Sequence, residues 1–354
     1  MTTLTTTPTT ALFEQLEAEA RAVLPAHVSG YVAATAGAGQ CHAEGLAQWA
    51  AARLVPRVLR GSAPTDAELA ATTVLGTPLR TPVLVAPMAQ QVAAHPRGEA
   101  EAARAVAAAG SLVGVSTNTA VPFDAVQAAG APWWYQVYVL RDRSLTGLLV
   151  DRAAAAGASA LVLTVDTTAL TPAHPSVGSI EPTEWPAGPG RERLTALTSA
   201  DLADREEGAA SPALDVDLET IGWLAERTGL PVVVKGVLHP DDARACAQAG
   251  AAGVVVSTHG GRRLGESVTS AAALPGVVAA VRSVDPAVEV YADSGVRSGA
   301  QVAWALSQGA RAVFVGRPAW WGLAARGADG VAAVLDALTA ELVTALRQCG
   351  DVRA

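Results

Sequence analysis

The segment VVVSTHGGRR, residues 254–263, runs from a buried-type apolar stretch straight into a histidine, two glycines and two arginines. A histidine in that place stands at the end of a strand, where side chains reach a cleft. The two glycines let the backbone turn tightly and approach a ligand closely. Arg262, three residues beyond His259, carries the planar fork that grips a carboxylate through two hydrogen bonds. A base beside a carboxylate clamp is equipment for attacking the α-carbon of an acid. Asp166 closes the run LVLTVD. A carboxylate there either orients an imidazole and stabilises its protonated form or caps a loop or helix. Lys235 closes PVVVK, where burial costs desolvation unless the ammonium meets an anion. A rim lysine reaching water, or a Schiff-base lysine of an aldolase-type barrel, would occupy the same place.

Polar or turn-forming residues close the other apolar runs too: Pro87, Met88 and Ala89; Ser116; Gln136 with Tyr138; Thr164; and Ser257. Towards the C-terminus, YADSGVRSG (291–299) and VFVGRP (313–318) place Asp293, Ser294, Gly295, Arg297, Gly316 and Arg317 after two successive runs. The glycines allow backbone N–H groups to face an anion and the arginines add charge, so this pair reads as a phosphate site. No GxxxxGK[ST] loop is present, and AGAGQ at 36–40 lacks the strand–turn–helix setting of a dinucleotide fingerprint. The six histidines and three cysteines show no zinc-type spacing, so no metal is expected.

These residues need a scaffold that gathers strand ends. After Arg60 the chain alternates short β-branched runs with Ala-rich helical stretches. Strands are predicted over 83–86, 112–115, 134–138, 160–165, 232–235, 253–256, 288–292 and 312–315. Helices are predicted over 99–109, 145–156, 218–228, 240–249, 277–284, 300–307 and 330–349, with an amphipathic helix at 12–24 ahead of them. Alternation implies parallel pairing through right-handed crossovers. Eight strands is the count that closes an α/β (β/α)8 TIM barrel, although a doubly wound open sheet also alternates. The expected organisation is an N-terminal helical extension over 1–60 packed on a barrel over 61–354. A long loop rich in Pro, Gly, Ser, Thr and Glu follows strand 4 and makes 167–217 an expected active-site lid.

Composition narrows the partners. The 354 residues carry 25 Lys plus Arg against 33 Asp plus Glu, a net charge of −8, which leaves no broad basic face for nucleic acid or an anionic membrane. No apolar run of about 18 residues lacks polar breaks. Three cysteines fit a reduced compartment. The first residues lack a basic n-region and an apolar h-region, so a cytoplasmic location is expected.

Taken together and in this order, STHGGR (257–262), DSGVRSG (293–299), VGRP (315–318), VKGV (234–237) and QVYV (136–139) resemble the FMN-dependent α-hydroxy acid oxidase and dehydrogenase family. LVPRVLR (54–60) and AHPRGE (94–99) support the resemblance, which runs from about Leu24 to the C-terminus. It implies FMN as cofactor and oxidation of an (S)-2-hydroxy acid to a 2-oxo acid. The electron acceptor would be oxygen, a quinone or a protein, and the assembly a homo-oligomer, expected as a homotetramer. A related FMN barrel performing isomerisation or oxidative decarboxylation is the alternative. By resemblance His259 is the base, Asp166 its carboxylate partner, Arg262 and Tyr31 the carboxylate holders, and Tyr138 the phenol near the substrate hydroxyl. Lys235 would lie beside flavin N1. Pro87, Met88, Ala89, Ser116, Gln136, Thr164 and Ser257 would contact the flavin ring and ribityl chain, and Asp293, Ser294, Gly295, Arg297, Gly316 and Arg317 would hold ribityl and phosphate.

The sequence departs from the family pattern on the substrate side. A second arginine, expected seven residues after the loop-4 aspartate, is replaced by Ala173 beside His174, which leaves His174, Arg191 or Arg193 to fold in. Asn118 stands where several members carry an apolar or aromatic residue, Thr258 replaces the usual Asn, and Arg263 replaces the usual Gln. The flavin-facing set is complete, whereas the substrate-facing set is altered, which implies a larger or decorated hydroxy acid.

Overall fold

Eight of the apolar runs become eight parallel strands that close on themselves. The computed structural model describes residues 8–59, 64–167, 196–203 and 205–350. A short antiparallel hairpin comes first, β1 (Thr72–Val74) and β2 (Thr77–Leu79). The barrel strands follow as β3 (Val83–Met88), β4 (Val113–Val115), β5 (Trp133–Val137), β6 (Leu161–Thr164), β7 (Val232–Val237), β8 (Gly253–Val256), β9 (Glu289–Ala292) and β10 (Ala312–Val315). Each pairs with the next, and β10 returns to β3 through the register Val313↔Val83, closing the barrel. All eight predicted strands coincide with these to within a residue or two at each end. A closed barrel, not an open sheet, is the outcome.

Strand alternation sorts the side chains into two cores. Leu84, Leu112, Trp134, Val162, Val233, Val255, Tyr291 and Phe314 point inwards and fill the barrel. Trp134, Tyr291 and Phe314 meet there with ring centroids 5.4 to 5.9 Å apart. The barrel is therefore packed and not a pore. Val74 and Leu79 of the hairpin join the same cluster and plug its lower end. The outward residues pack under the helices in the larger core.

Among the described residues, four helices precede the barrel strands where the sequence predicts one: α1 (Thr9–Val23), α2 (Ala26–Ala33), α3 (Gln40–Ala51) and the single turn and a half of α4 (Asp66–Ala70). The reason is local. α2 and α3 are short and carry Gly30 and Gly45, which weaken the helical signal, and their stability comes from packing Val28, Val32 and Trp49 against the barrel. The helix Ser270–Arg282 also begins before the predicted 277 and runs through Pro275, a residue that ordinarily ends or kinks a helix. Most of the expected lid, 167–217, lies outside the described residues.

Candidate active site

His259, Asp166, Lys235 and Asp293 converge at the upper mouth of the barrel because His259, Asp166 and Asp293 follow β8, β6 and β9, and Lys235 lies in the C-terminal half of β7. His259 Nδ1 lies 3.0 and 3.1 Å from the two carboxylate oxygens of Asp166. A carboxylate accepts only, so Nδ1 carries the proton and donates it, which leaves the Nε2 lone pair free to act as a base. Burial pushes the imidazole down to about 4 despite the pull of Asp166. Burial alone would raise Asp166, but the imidazole and Lys235 outweigh it and hold the carboxyl at about 2. At neutral pH the pair is thus a neutral imidazole on an ionised carboxylate.

Lys235 meets the anion that its burial demands. It is 5% exposed, its Nζ lies 3.4 Å from Asp293 Oδ2, and it donates to Ser257 Oγ at 2.9 Å. Burial would lower its pKa, yet Asp293 and Asp166 carry it above the ordinary value. It is therefore a fixed ammonium, the opposite of what an imine-forming lysine needs.

Two hydroxyls position the histidine. Ser257 Oγ, besides accepting from Lys235, accepts the His259 N–H at 3.0 Å. Ser294 Oγ accepts the N–H groups of Thr258 at 3.1 Å and Gly260 at 2.9 Å, and it donates to Asp293. His259 and Ser294 both adopt left-handed backbone, at φ 55° and 67°, a strained choice for non-glycine residues. Gly261 continues the turn at φ 74°, where a Cβ would meet His42 Cβ at 2.8 Å. Ser294 and Ser257, expected to face a cofactor, thus also brace the His259 loop.

The floor beside this group is a line of amide and hydroxyls. Gln136 donates to Thr164 Oγ1 at 3.0 Å and accepts from Ser116 Oγ at 3.2 Å, joining β4, β5 and β6. Pro87 and Met88 end β3, with Ala89 just beyond. A Cβ on Gly316 would lie 3.6 Å from Met88 Sδ, so the tips of β3 and β10 face each other.

A cluster of cations lies on the other side of the loop. Arg317 donates to the carbonyls of Val32 at 2.9 Å, Ala34 at 2.8 Å and Gly260 at 2.9 Å. Arg262 donates to those of Tyr31 at 2.7 Å, Val32 at 3.3 Å and Ala34 at 3.1 Å, and its guanidinium stands 4.9 Å from the Tyr31 ring centroid. The orphan carbonyls at the C-terminal end of α2 satisfy both arginines. Burial, then repulsion from Arg262 and Arg297, pushes Arg317 down to about 9, and burial pushes Arg297 down to about 10. His42, at the start of α3, is pushed to about 4 by burial and by the same arginines.

Comparison with known proteins decides the family. A model of the FMN-dependent dehydrogenase family matches residues 20–353. The chain belongs to the FMN-dependent dehydrogenase family. Among its relatives, an L-lactate oxidase from Nostoc sp. is 40% identical over 298 residues, covering 79% of this chain and 78% of the relative. A 4-hydroxymandelate oxidase from Amycolatopsis orientalis is 35% identical over 342 residues, covering 95% of this chain and 93% of the relative. A solved mandelate oxidase superposes with a TM-score of 0.84 at 35% identity, covering 96% of this chain and 95% of that one.

The donor set of this FMN-dependent dehydrogenase fits a phosphorylated flavin. Among the described residues no carboxylate lies within ion-pair distance of Arg262, Arg297 or Arg317. Half-buried guanidinium groups such as Arg297 and Arg317 in that setting favour a bound dianion. The Gln136 line and Lys235 offer polar atoms to a planar heterocycle. The structure brings Tyr31 to Arg262, and Tyr138 to the His259 group. Ala173, His174, Arg191 and Arg193 lie outside the described residues. Sequence reasoning missed His42 and gave Arg263 no role. The AGAGQ stretch and Cys41 just after it pin the histidine loop: Ala36 N–H donates to Gly261 O at 2.8 Å and Cys41 N–H to Gly265 O at 2.8 Å. Its signal was the pair of glycines, Gly37 and Gly39, both at positive φ.

Proposed function

We propose that the chain oxidises an (S)-2-hydroxy acid to the 2-oxo acid, with His259 as the base. The observation that carries this reading is the His259–Asp166 pair, held neutral-on-anion beside a fixed ammonium and an arginine cluster. FMN supplies the chemistry of accepting the two electrons that leave the substrate's α C–H bond. Lys235, Ser116, Gln136, Thr164, Ser257, Pro87, Met88 and Ala89 would hold its ring and ribityl chain, and Asp293, Ser294, Gly295, Arg297, Gly316 and Arg317 its ribityl and phosphate. Arg262 and Tyr31 fix the carboxylate, which places the α-carbon near His259. His259 Nε2 takes one proton from the substrate, and Asp166 stabilises the imidazolium that forms. Lys235 keeps a positive charge where negative charge accumulates.

The relatives named for lactate and 4-hydroxymandelate support the 2-hydroxy acid class. The reading extends to oxygen, a quinone or a protein as electron acceptor, to a homotetramer and to the cytoplasm. The three free, buried thiols of Cys41, Cys246 and Cys349 support a reduced compartment. The test is steady-state assay of purified protein against the separate enantiomers of glycolate homologues, lactate and mandelate, with the product identified by mass spectrometry. The (S)-acids should yield 2-oxo acids. Exclusive turnover of (R)-acids, or a decarboxylated product, would overturn the reading.

A further inference from the structure

We propose that Arg263 is a second carboxylate-recognising cation of the substrate site. This rests on the 2-hydroxy acid reading above. Arg262 and Arg263 are adjacent, yet their guanidinium groups take different partners. Arg262 is anchored on the carbonyls of Tyr31, Val32 and Ala34. Arg263 Nη2 instead donates to Tyr138 Oη at 3.0 Å. That places its charge on the side of the mouth where Tyr138, Asp166, Lys235 and His259 gather. Arg263 is half-buried, so its field is only partly screened there. Both Asp166 and His259 feel it, each being shifted downwards in part by Arg263.

An anionic acid with its hydroxyl at His259 and Tyr138 would then sit between two forks, Arg262 on one flank and Arg263 on the other. A guanidinium matches a carboxylate with two hydrogen bonds, which a glutamine amide cannot do. The Tyr138 hydroxyl accepts from Arg263, which leaves its own proton to donate. Arg263 is thus a recognition group for charge beside Tyr138.

The experiment compares wild type with Arg263→Gln, Arg263→Lys and Arg263→Ala as FMN-loaded proteins. One arm measures KM and kcat for a 2-hydroxy acid and for its uncharged 2-hydroxy amide. The other titrates acetate and oxalate, which are not oxidised, by calorimetry. R263A and R263Q should raise KM and the carboxylate Kd about 10- to 100-fold, leave the amide within about twofold, and recover in added guanidinium chloride for R263A. R263K should fall between. Acid and amide weakened alike would mark a packing role and overturn the proposal, as would unchanged carboxylate affinity. If wild type oxidises no 2-hydroxy acid, the functional reading fails, and the carboxylate titration still decides Arg263 by itself.

Discussion

At the scale of single residues, the site turns on one imidazole kept neutral by burial. His259 is pushed down to about 4, so its base form is present throughout the neutral range. The expected pH profile of kcat/KM is flat as pH falls from 7 and drops only near pH 4, where Nε2 becomes protonated. A break near 6.5, the ordinary histidine value, would show that the imidazole is not held as described. Stability shares the same window. Between about 6.5 and 4 the unfolded chain takes up a proton that folded His259 does not, so acid lowers stability there. His259→Asn should retain FMN and its melting temperature while anaerobic flavin bleaching by substrate slows about 10²–10⁴-fold. Asp166→Asn should also slow it by about 10² or more, since the imidazolium loses its anion. Equal rates in wild type and either variant would remove the pair from the mechanism.

At the scale of elements, loops and helix ends do the positioning. Gly261→Ala combines a positive φ with a Cβ pressed on His42, and should cost about 1–3 kcal/mol in urea unfolding. It should lower activity more than FMN content, because the loop carries His259. The helix Gly98–Ala109 opens on Glu99, fully buried, whose carboxyl burial pushes up to about 7. The unfolded carboxyl ionises near 4.5, whereas the folded one stays protonated, so stability is lost as pH rises from about 4.5 through 7. Glu99→Gln removes that loss. Thermal unfolding should show it more stable than wild type at pH 7.5, on the order of 3 kcal/mol at most, and little changed at pH 5. A gain at pH 5 equal to that at pH 7.5 would contradict the assignment. The strands were legible because short β-branched runs between Ala-rich helices have few other solutions. So were His259, Asp166 and Lys235, which follow or end those runs directly. α2 and α3 were not, since their helicity comes from tertiary packing. The role of the α2 carbonyls in seating Arg262 and Arg317 could not be read, because no spacing links residues 31–34 to 262 and 317. Arg263 was visible only as a departure from pattern, and its contact with Tyr138 is a property of the folded loop.

At the scale of the whole molecule, the barrel divides its labour. Its lower end is sealed by the β1–β2 hairpin over an aromatic core. Its upper end brings a neutral base, a fixed ammonium and a group of half-buried guanidiniums to one mouth. Only closure of the β10–β3 seam puts the Gly316–Arg317 tip next to the Met88 tip and the His259 loop within reach of both. The central claim is that this mouth holds FMN across from His259. Anaerobic titration of the purified, FMN-reconstituted protein with an (S)-2-hydroxy acid, followed by visible absorbance, tests it most directly. The account predicts a yellow protein whose flavin band bleaches stoichiometrically with 2-oxo acid formed. A protein that takes up no FMN, or whose flavin band stays unbleached by every 2-hydroxy acid offered, would contradict it.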